Sequence, residues 1–244
     1  MAKRKGGGWL ETVKTIVYAG LIAIGIRTIA FEPFNIPSSS MVPTLLVGDY
    51  LFVSKFSYGY SRYSMPFSPP LWSGRLFGSM PERGDVAVFR WPRDNTTDYI
   101  KRIVGLPGDR IQLIGGVLYI NGEAVRREAA GLCEDDGTGV RIRSRRYIET
   151  LPAAAGGRSH AICEFSDTER FDNTEEFRVP ANHVFAMGDN RDNSSDSRDF
   201  SPGGVGYIPV DNLIGRAEII FFSHEGTAFN PLNWRISRFF QMVR

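Results

Sequence analysis

The stretch Tyr99-Ile100-Lys101-Arg102-Ile103-Val104-Gly105-Leu106-Pro107-Gly108-Asp109 decides the class of fold. It is rich in β-branched and aromatic residues and is closed by Pro107-Gly108, the pattern of a strand that ends in a turn. Period-two alternation puts Tyr99, Lys101 and Ile103 on one face and Ile100, Arg102 and Val104 on the other, so one of the two cations must sit among apolar neighbours. Short apolar runs of the same kind, bounded by turn residues, occur at 47–56, 84–91, 184–187 and 213–222. Within 117–125, Asn121-Gly122 between two apolar runs is a strong hairpin signal. With 26 glycines and 14 prolines spread along the chain, the expected architecture is mainly β.

The 244 residues suffice for a large β domain with insertions. A formal net charge of +2, from 29 basic and 27 acidic side chains, provides no single-sign field of the kind nucleic-acid binding requires, so no nucleic-acid partner is expected. Cys133 and Cys163 match no clustered Cys/His pattern, and no metal site is expected from them. Their pairing stays open, although an exported location would favour a disulfide.

Toward the N-terminus, Lys3-Arg4-Lys5 and three glycines precede an apolar stretch over 9–31, interrupted by Glu11, Lys14 and Arg27. Its uncharged core is short of the about 20 residues a membrane span needs, but Lys14 and Arg27 can snorkel toward the headgroups. A single transmembrane anchor is the expectation. The competing reading, a cleavable secretory signal, lacks a small-x-small site in Phe31-Glu32-Pro33-Phe34. Lys3-Arg4-Lys5 places the N-terminus in the cytoplasm and the chain beyond about Arg27 on the outer side.

The loop 57–81 is rich in Ser, Pro and aromatic residues. Its Phe67, Leu71, Trp72, Leu76 and Phe77 read equally as core or as side chains dipping into lipid headgroups. From 126 to 178 the chain turns polar and charged, with both cysteines, an Ala/Gly linker at 153–157 and a basic cluster at 141–146 read as a solvated face. This segment is expected to be an inserted subdomain or β-ribbon. The chain then divides into a tail and anchor at 1–31, a β-rich domain at 32–125 and 179–244, and the insertion at 126–178.

Ser38-Ser39-Ser40-Met41 follows the anchor, and a serine is a poor nucleophile unless a base takes its proton. His160, His183 and His224 have no nucleophile-like surroundings, so a Ser-His-Asp triad is not expected. Lysine is the remaining base. If Lys101 is buried without a carboxylate partner, its pKa falls by roughly three to four pH units from about 10.4, equivalent to ~4 to 5 kcal/mol. The alternative is an exposed edge-strand lysine. In the run 187–198, dense in Gly, Asp, Asn and Ser, side chains fold back on the backbone as a rigid polar scaffold. Asp189, Asp192 and Asp196 could be read as calcium ligands, but the EF-hand spacing and its terminal glutamate are absent.

Four segments, 36–45 (Ile-Pro-Ser-Ser-Ser-Met-Val-Pro-Thr-Leu), 83–86 (Arg-Gly-Asp-Val), 99–109 and 188–198 (Gly-Asp-Asn-Arg-Asp-Asn-Ser-Ser-Asp-Ser-Arg), follow an N-terminal anchor in this order. Together they resemble the boxes of the bacterial type I signal peptidases, a Ser/Lys-dyad family, over nearly the whole chain outside the insertion. The resemblance implies an antiparallel β-sheet catalytic domain of that type and no cofactor. It implies Ser40 as nucleophile, Lys101 as general base, and the Ser38 hydroxyl with the Ser40 N–H as oxyanion hole. Ser194 would orient the lysine, and Asp196 and Arg198 would form a supporting ion pair. Phe34, Ile36, Leu45, Tyr99 and Ile100 are candidates for the substrate pockets. Two departures stand out: Ser39 occupies a position where many members carry glycine, which puts a positive-φ backbone in doubt, and the cysteine spacing carries no disulfide over from the family.

The implied activity is removal of signal peptides from secretory preproteins at the cytoplasmic (inner) membrane, after small residues at Ala-x-Ala sites, by a lipid-associated enzyme for which nothing demands more than a monomer. Three readings compete. A peptidase dedicated to one conjugation or pilus protein would differ in substrate breadth. A catalytically silent tethered β module would tolerate loss of Lys101. A self-cleaving cytoplasmic repressor is disfavoured by the anchor and by the absence of a helix-turn-helix pattern.

Overall fold

The computed structural model describes residues 8–66, 68–70, 72–135, 138, 141–153 and 157–244. Helix α1 (Trp9–Ile29) is proline-free, and none of its residues is buried against the rest of the protein. It is long and apolar enough to cross a membrane. It stops two residues short of the apolar stretch in the sequence, because Phe31 already belongs to strand β1 (Phe31–Asn35). Pro33, which has no N–H to donate, fits there because β1 is an edge strand. Glu32 fastens the junction by pairing with Arg27 of the helix and with the buried Lys55.

The strands that follow are β2 (Asp49–Ser54), β3 (Val86–Arg90), β4 (Asp98–Gly105), β5 (Arg110–Ile114), β6 (Val117–Ile120), β7 (Glu123–Ala124), β8 (Arg126–Asp135), β9 (Arg141–Leu151), β10 (Arg158–Glu164), β11 (Phe177–Arg178), β12 (His183–Met187), β13 (Ile208–Pro209) and β14 (Leu213–Ser223). They form a seven-stranded sheet in the order β1-β2-β14-β3-β4-β12-β13, a four-stranded sheet β11-β5-β6-β7 and a three-stranded ribbon β10-β9-β8. All these pairings are antiparallel. The β6–β7 turn uses Asn121 at φ 56° and Gly122 at φ 86°, the left-handed pair that matches the twist of a two-residue hairpin.

Strand β4 lies between β3 and β12, and alternation sorts its side chains between separate apolar clusters. Ile103, with the partly buried Tyr99, packs with Ala87, Phe89, Val184 and Ala186. Ile100 joins the cluster of Met41, Leu45, Leu51, Val86 and Val88, and Val104 joins that of Ile111, Phe185 and Met187. Both faces are covered, so both cations of the strand are buried: Lys101 is 3% exposed and Arg102 2%. In the ribbon, Cys133 and Cys163 form a disulfide that packs against Val42 and Leu46, next to the triple serine. Of the aromatic-loop residues, Leu76 and Phe77 are exposed, while Phe67 and Leu71 lie outside the described residues.

Candidate active site

Ser40 stands between Ser39 and the fully buried Met41, which anchors it to the core. Across the sheet, β4 delivers Lys101 so that its Nζ donates to Ser40 Oγ at 2.6 Å and to the Ile100 carbonyl at 3.0 Å. Ser38 Oγ lies 3.4 Å from Ser40 Oγ. Burial pushes the Lys101 amine down to about 8, while the Asp196 and Asp189 carboxylates oppose the fall and the Arg198 guanidinium adds to it. This is a smaller drop than the sequence led us to expect, because the carboxylates of the 187–198 run lie near enough to favour the ammonium. The other cation of β4 is accommodated differently. Arg102 forks onto Asp189, at 2.8 Å from Nε and 2.6 Å from Nη2, and Thr44 donates its hydroxyl to the same carboxylate.

The run 187–198 folds as a scaffold tied to the triple-serine segment by backbone as well as side chain. The Asn190 N–H donates to the Ser40 carbonyl and its Nδ2 to the Ser39 carbonyl, each at 3.1 Å. Asn193 Nδ2 donates to Ser39 Oγ at 2.9 Å. The Ser39 backbone does not enter the left-handed region, so a serine is accommodated there without backbone strain. At Gly188 a Cβ would lie 2.5 Å from the Ser40 carbonyl oxygen and 2.3 Å from Ser194 Oγ, so no side chain fits. Asp196 accepts from Gly188 N–H at 3.0 Å and pairs with Arg198, both side chains being fully buried. Burial alone would raise the Asp196 carboxyl, but Arg198 outweighs it and holds the group below its usual range.

Phe34, Ile36, Tyr99 and Ile100 line a cleft of about 550 Å³ together with Ser38, Ser40, Lys101 and Val88. Leu45 does not line it. It is fully buried in the core beside Met41 and Leu51, at the end of a turn closed by its own N–H on the Met41 carbonyl at 2.9 Å. Ser194 is buried near the site, but the expected bond to Lys101 is not formed. Its hydroxyl lies by the Asp196 carboxylate, which it helps to keep ionised, and the lysine donates to Ser40 and Ile100 instead. Asp189, Asp192 and Asp196 each engage protein groups, Asp192 accepting from the Phe165 N–H at 2.6 Å. Sequence reasoning missed the two asparagines that hold Ser39, and Glu149 of β9, which forks onto Arg191. For the asparagines a signal existed in the density of amides within the loop; for Glu149 there was none, since it lies 42 residues away in the polar insertion.

The sequence model described as signal peptidase, peptidase S26, matches residues 9–222. Similar proteins include Signal peptidase I of Rickettsia typhi, 44% identical over 211 residues that cover 83% of this chain and 76% of that one. Signal peptidase I of Rickettsia canadensis is 40% identical over 218 residues, 86% of this chain and 78% of that one. A crystal structure of a signal peptidase I from Enterococcus faecalis aligns with a TM-score of 0.32 and 24% identity, covering 57% of this chain and 97% of that chain.

Proposed function

The chain belongs to the signal peptidase family, peptidase S26, and as a serine endopeptidase of that family we propose that it removes signal peptides with Ser40 as nucleophile and Lys101 as general base. The observation that carries the residue assignment is the 2.6 Å contact between Ser40 Oγ and a buried lysine whose direct partners are a hydroxyl and a carbonyl rather than a carboxylate. When Lys101 is neutral, that contact reverses and the hydroxyl donates to the amine. Ser40 Oγ then bonds to the scissile carbonyl carbon as its proton passes to Nζ. The Ser38 hydroxyl and the Ser40 N–H receive the oxyanion, a type of contact worth roughly 3 to 4 kcal/mol. As the C–N bond breaks, Lys101 returns the proton to the departing amine. Water then attacks the acyl carbon with its proton going to Lys101; the bond from that carbon to Ser40 Oγ breaks as Lys101 returns the proton to Oγ, and the signal peptide leaves with a free carboxyl end.

Ser194 fits a positioning role in this cycle, since its hydroxyl is buried beside the Asp196 carboxylate that acts on the lysine. Asp196 and Arg198 hold the loop in register. The bulky side chains of Phe34, Ile36, Tyr99 and Ile100 leave shallow space beside Ser40, which suits small residues before the cut. The protein acts as a monomer with α1 as its single span, residues 32–125 and 179–244 forming the catalytic domain on the outer side of the membrane and 126–178 the insertion.

Cleavage of a preprotein carrying an Ala-x-Ala site, followed in detergent over about pH 6 to 10, tests the assignment. Ser40→Ala and Lys101→Ala should fold and be inactive, and the wild-type rate should climb with pH through about 8. A folded Lys101→Ala that cuts normally would remove the lysine from the mechanism.

A further inference from the structure

The inserted ribbon reaches beneath the site with a buried carboxylate. Glu149 on β9 accepts from Arg191 in a two-pronged pair, Nη1 to Oε1 at 2.9 Å and Nη2 to Oε2, with each side chain 1% exposed. Directly opposite on β10 is His160, whose Nε2 lies 3.5 Å from Glu149 and 3.8 Å from Asp189. The Cys163 N–H donates to the Asp189 carbonyl at 2.8 Å. Arg191 itself follows Asn190, which holds the Ser39 and Ser40 carbonyls, and its own carbonyl accepts from Arg198.

A buried pair of this kind adds little net stability, because desolvating two ions consumes most of what their attraction returns. Its distinctive contribution is geometric, since the guanidinium fork and the carboxylate fix each other in a plane. We propose that Glu149 of the inserted ribbon is a positioning residue for the reaction: by locking Arg191 it fixes Asn190, and through Asn190 it sets the Ser40 backbone against Lys101. The insertion is then part of the catalytic support rather than a dispensable excursion. The proposal rests on the Ser40–Lys101 reading, and loss of the carboxylate would leave the guanidinium with only the charges of Glu164 and Asp189, to which it makes no fork, so that it turns and draws the loop toward water.

The full chain in detergent tests this with Glu149→Gln and with Arg158→Gln, which breaks a different tie of the ribbon, to Asp85 and Glu82, away from the loop. Glu149→Gln should lower kcat about tenfold with KM within about twofold, and the rising limb of the pH profile should move to higher pH as water reaches Lys101. Arg158→Gln should lower the unfolding temperature while leaving kcat and the pH profile unchanged. Arg191→Lys, which keeps the charge and loses the fork, should show the kcat defect in milder form. If Glu149→Gln merely lowers the unfolding temperature with wild-type kcat and pH profile, the proposal is overturned. Should that variant not fold, Arg191→Lys decides, a normal kcat and profile overturning it. Lys101→Ala run alongside keeps the two readings apart, since activity there defeats the lysine assignment whatever Glu149 does.

Discussion

With the Lys101 amine at about 8 in the folded protein and in the ordinary lysine range when unfolded, the folded state binds fewer protons than the unfolded state between those two values. Stability therefore rises with pH across that window, and below about pH 8 the protein carries the full cost of a protonated amine in a buried site, on the order of 3 kcal/mol. Lys101→Met should be inactive yet more stable than the wild type at pH 7, by up to that amount, with the difference shrinking toward pH 10. Thermal unfolding at the two pH values checks it, and a variant that is less stable at pH 7 would mean that the Lys101 contacts outweigh its desolvation. Under the proposed mechanism Ser38→Ala should reduce kcat about a hundredfold with KM nearly unchanged, because the hydroxyl would meet charge that exists only after attack. Alternation along β4 made one buried cation legible in the sequence. That both are buried, and that Asp189 serves Arg102 while Asp196 sits near Lys101, was not, because the partners arrive from a loop some 90 residues on.

At the scale of elements, what was readable was what is local. The Asn121-Gly122 turn needs only its own backbone, and the helix and the strand runs needed only composition and spacing. The position of β14 between β2 and β3 depends on long-range pairing, and no short window encodes it. The cysteine pair was equally hidden. β8 and β10 are separated by β9 in the ribbon, yet their Cα atoms at Cys133 and Cys163 approach to 6.1 Å, where the β8–β9 register shifts beside Cys133. A cross-link closing a loop of 30 residues stabilises by about 3 to 4 kcal/mol. Replacing both cysteines by alanine should lower the unfolding midpoint by several degrees. Reductant should produce the same shift in the wild type and none in the double variant, and a reductant effect on the double variant would place the sensitivity elsewhere.

The whole molecule has a direction, set by where the aromatic side chains collect. From the foot of α1 a band of rings runs across the edge of the large sheet: Phe31 against Phe56 and Phe52, Phe52 stacked on Phe221 at 4.4 Å, Tyr50 beside Phe221 and Phe222, and Phe222 against Trp234 and Phe239. Phe56 is 53% exposed and Trp234 39%, on a surface that begins where the anchor ends. Aromatic rings in such a place suit the headgroup layer, and a domain resting there would hold its cleft beside a signal peptide still embedded in the bilayer. Because no residue of α1 is buried against the domain, removing residues 1–29 exposes no core. The shortened protein should still co-sediment with phospholipid vesicles. Adding Phe56→Ser and Trp234→Ser should release it without changing kcat on a short soluble peptide, while cleavage of a vesicle-bound preprotein falls. If the shortened protein stays in solution with its rings intact, α1 alone provides the attachment and the band belongs to the packing of the sheet edge.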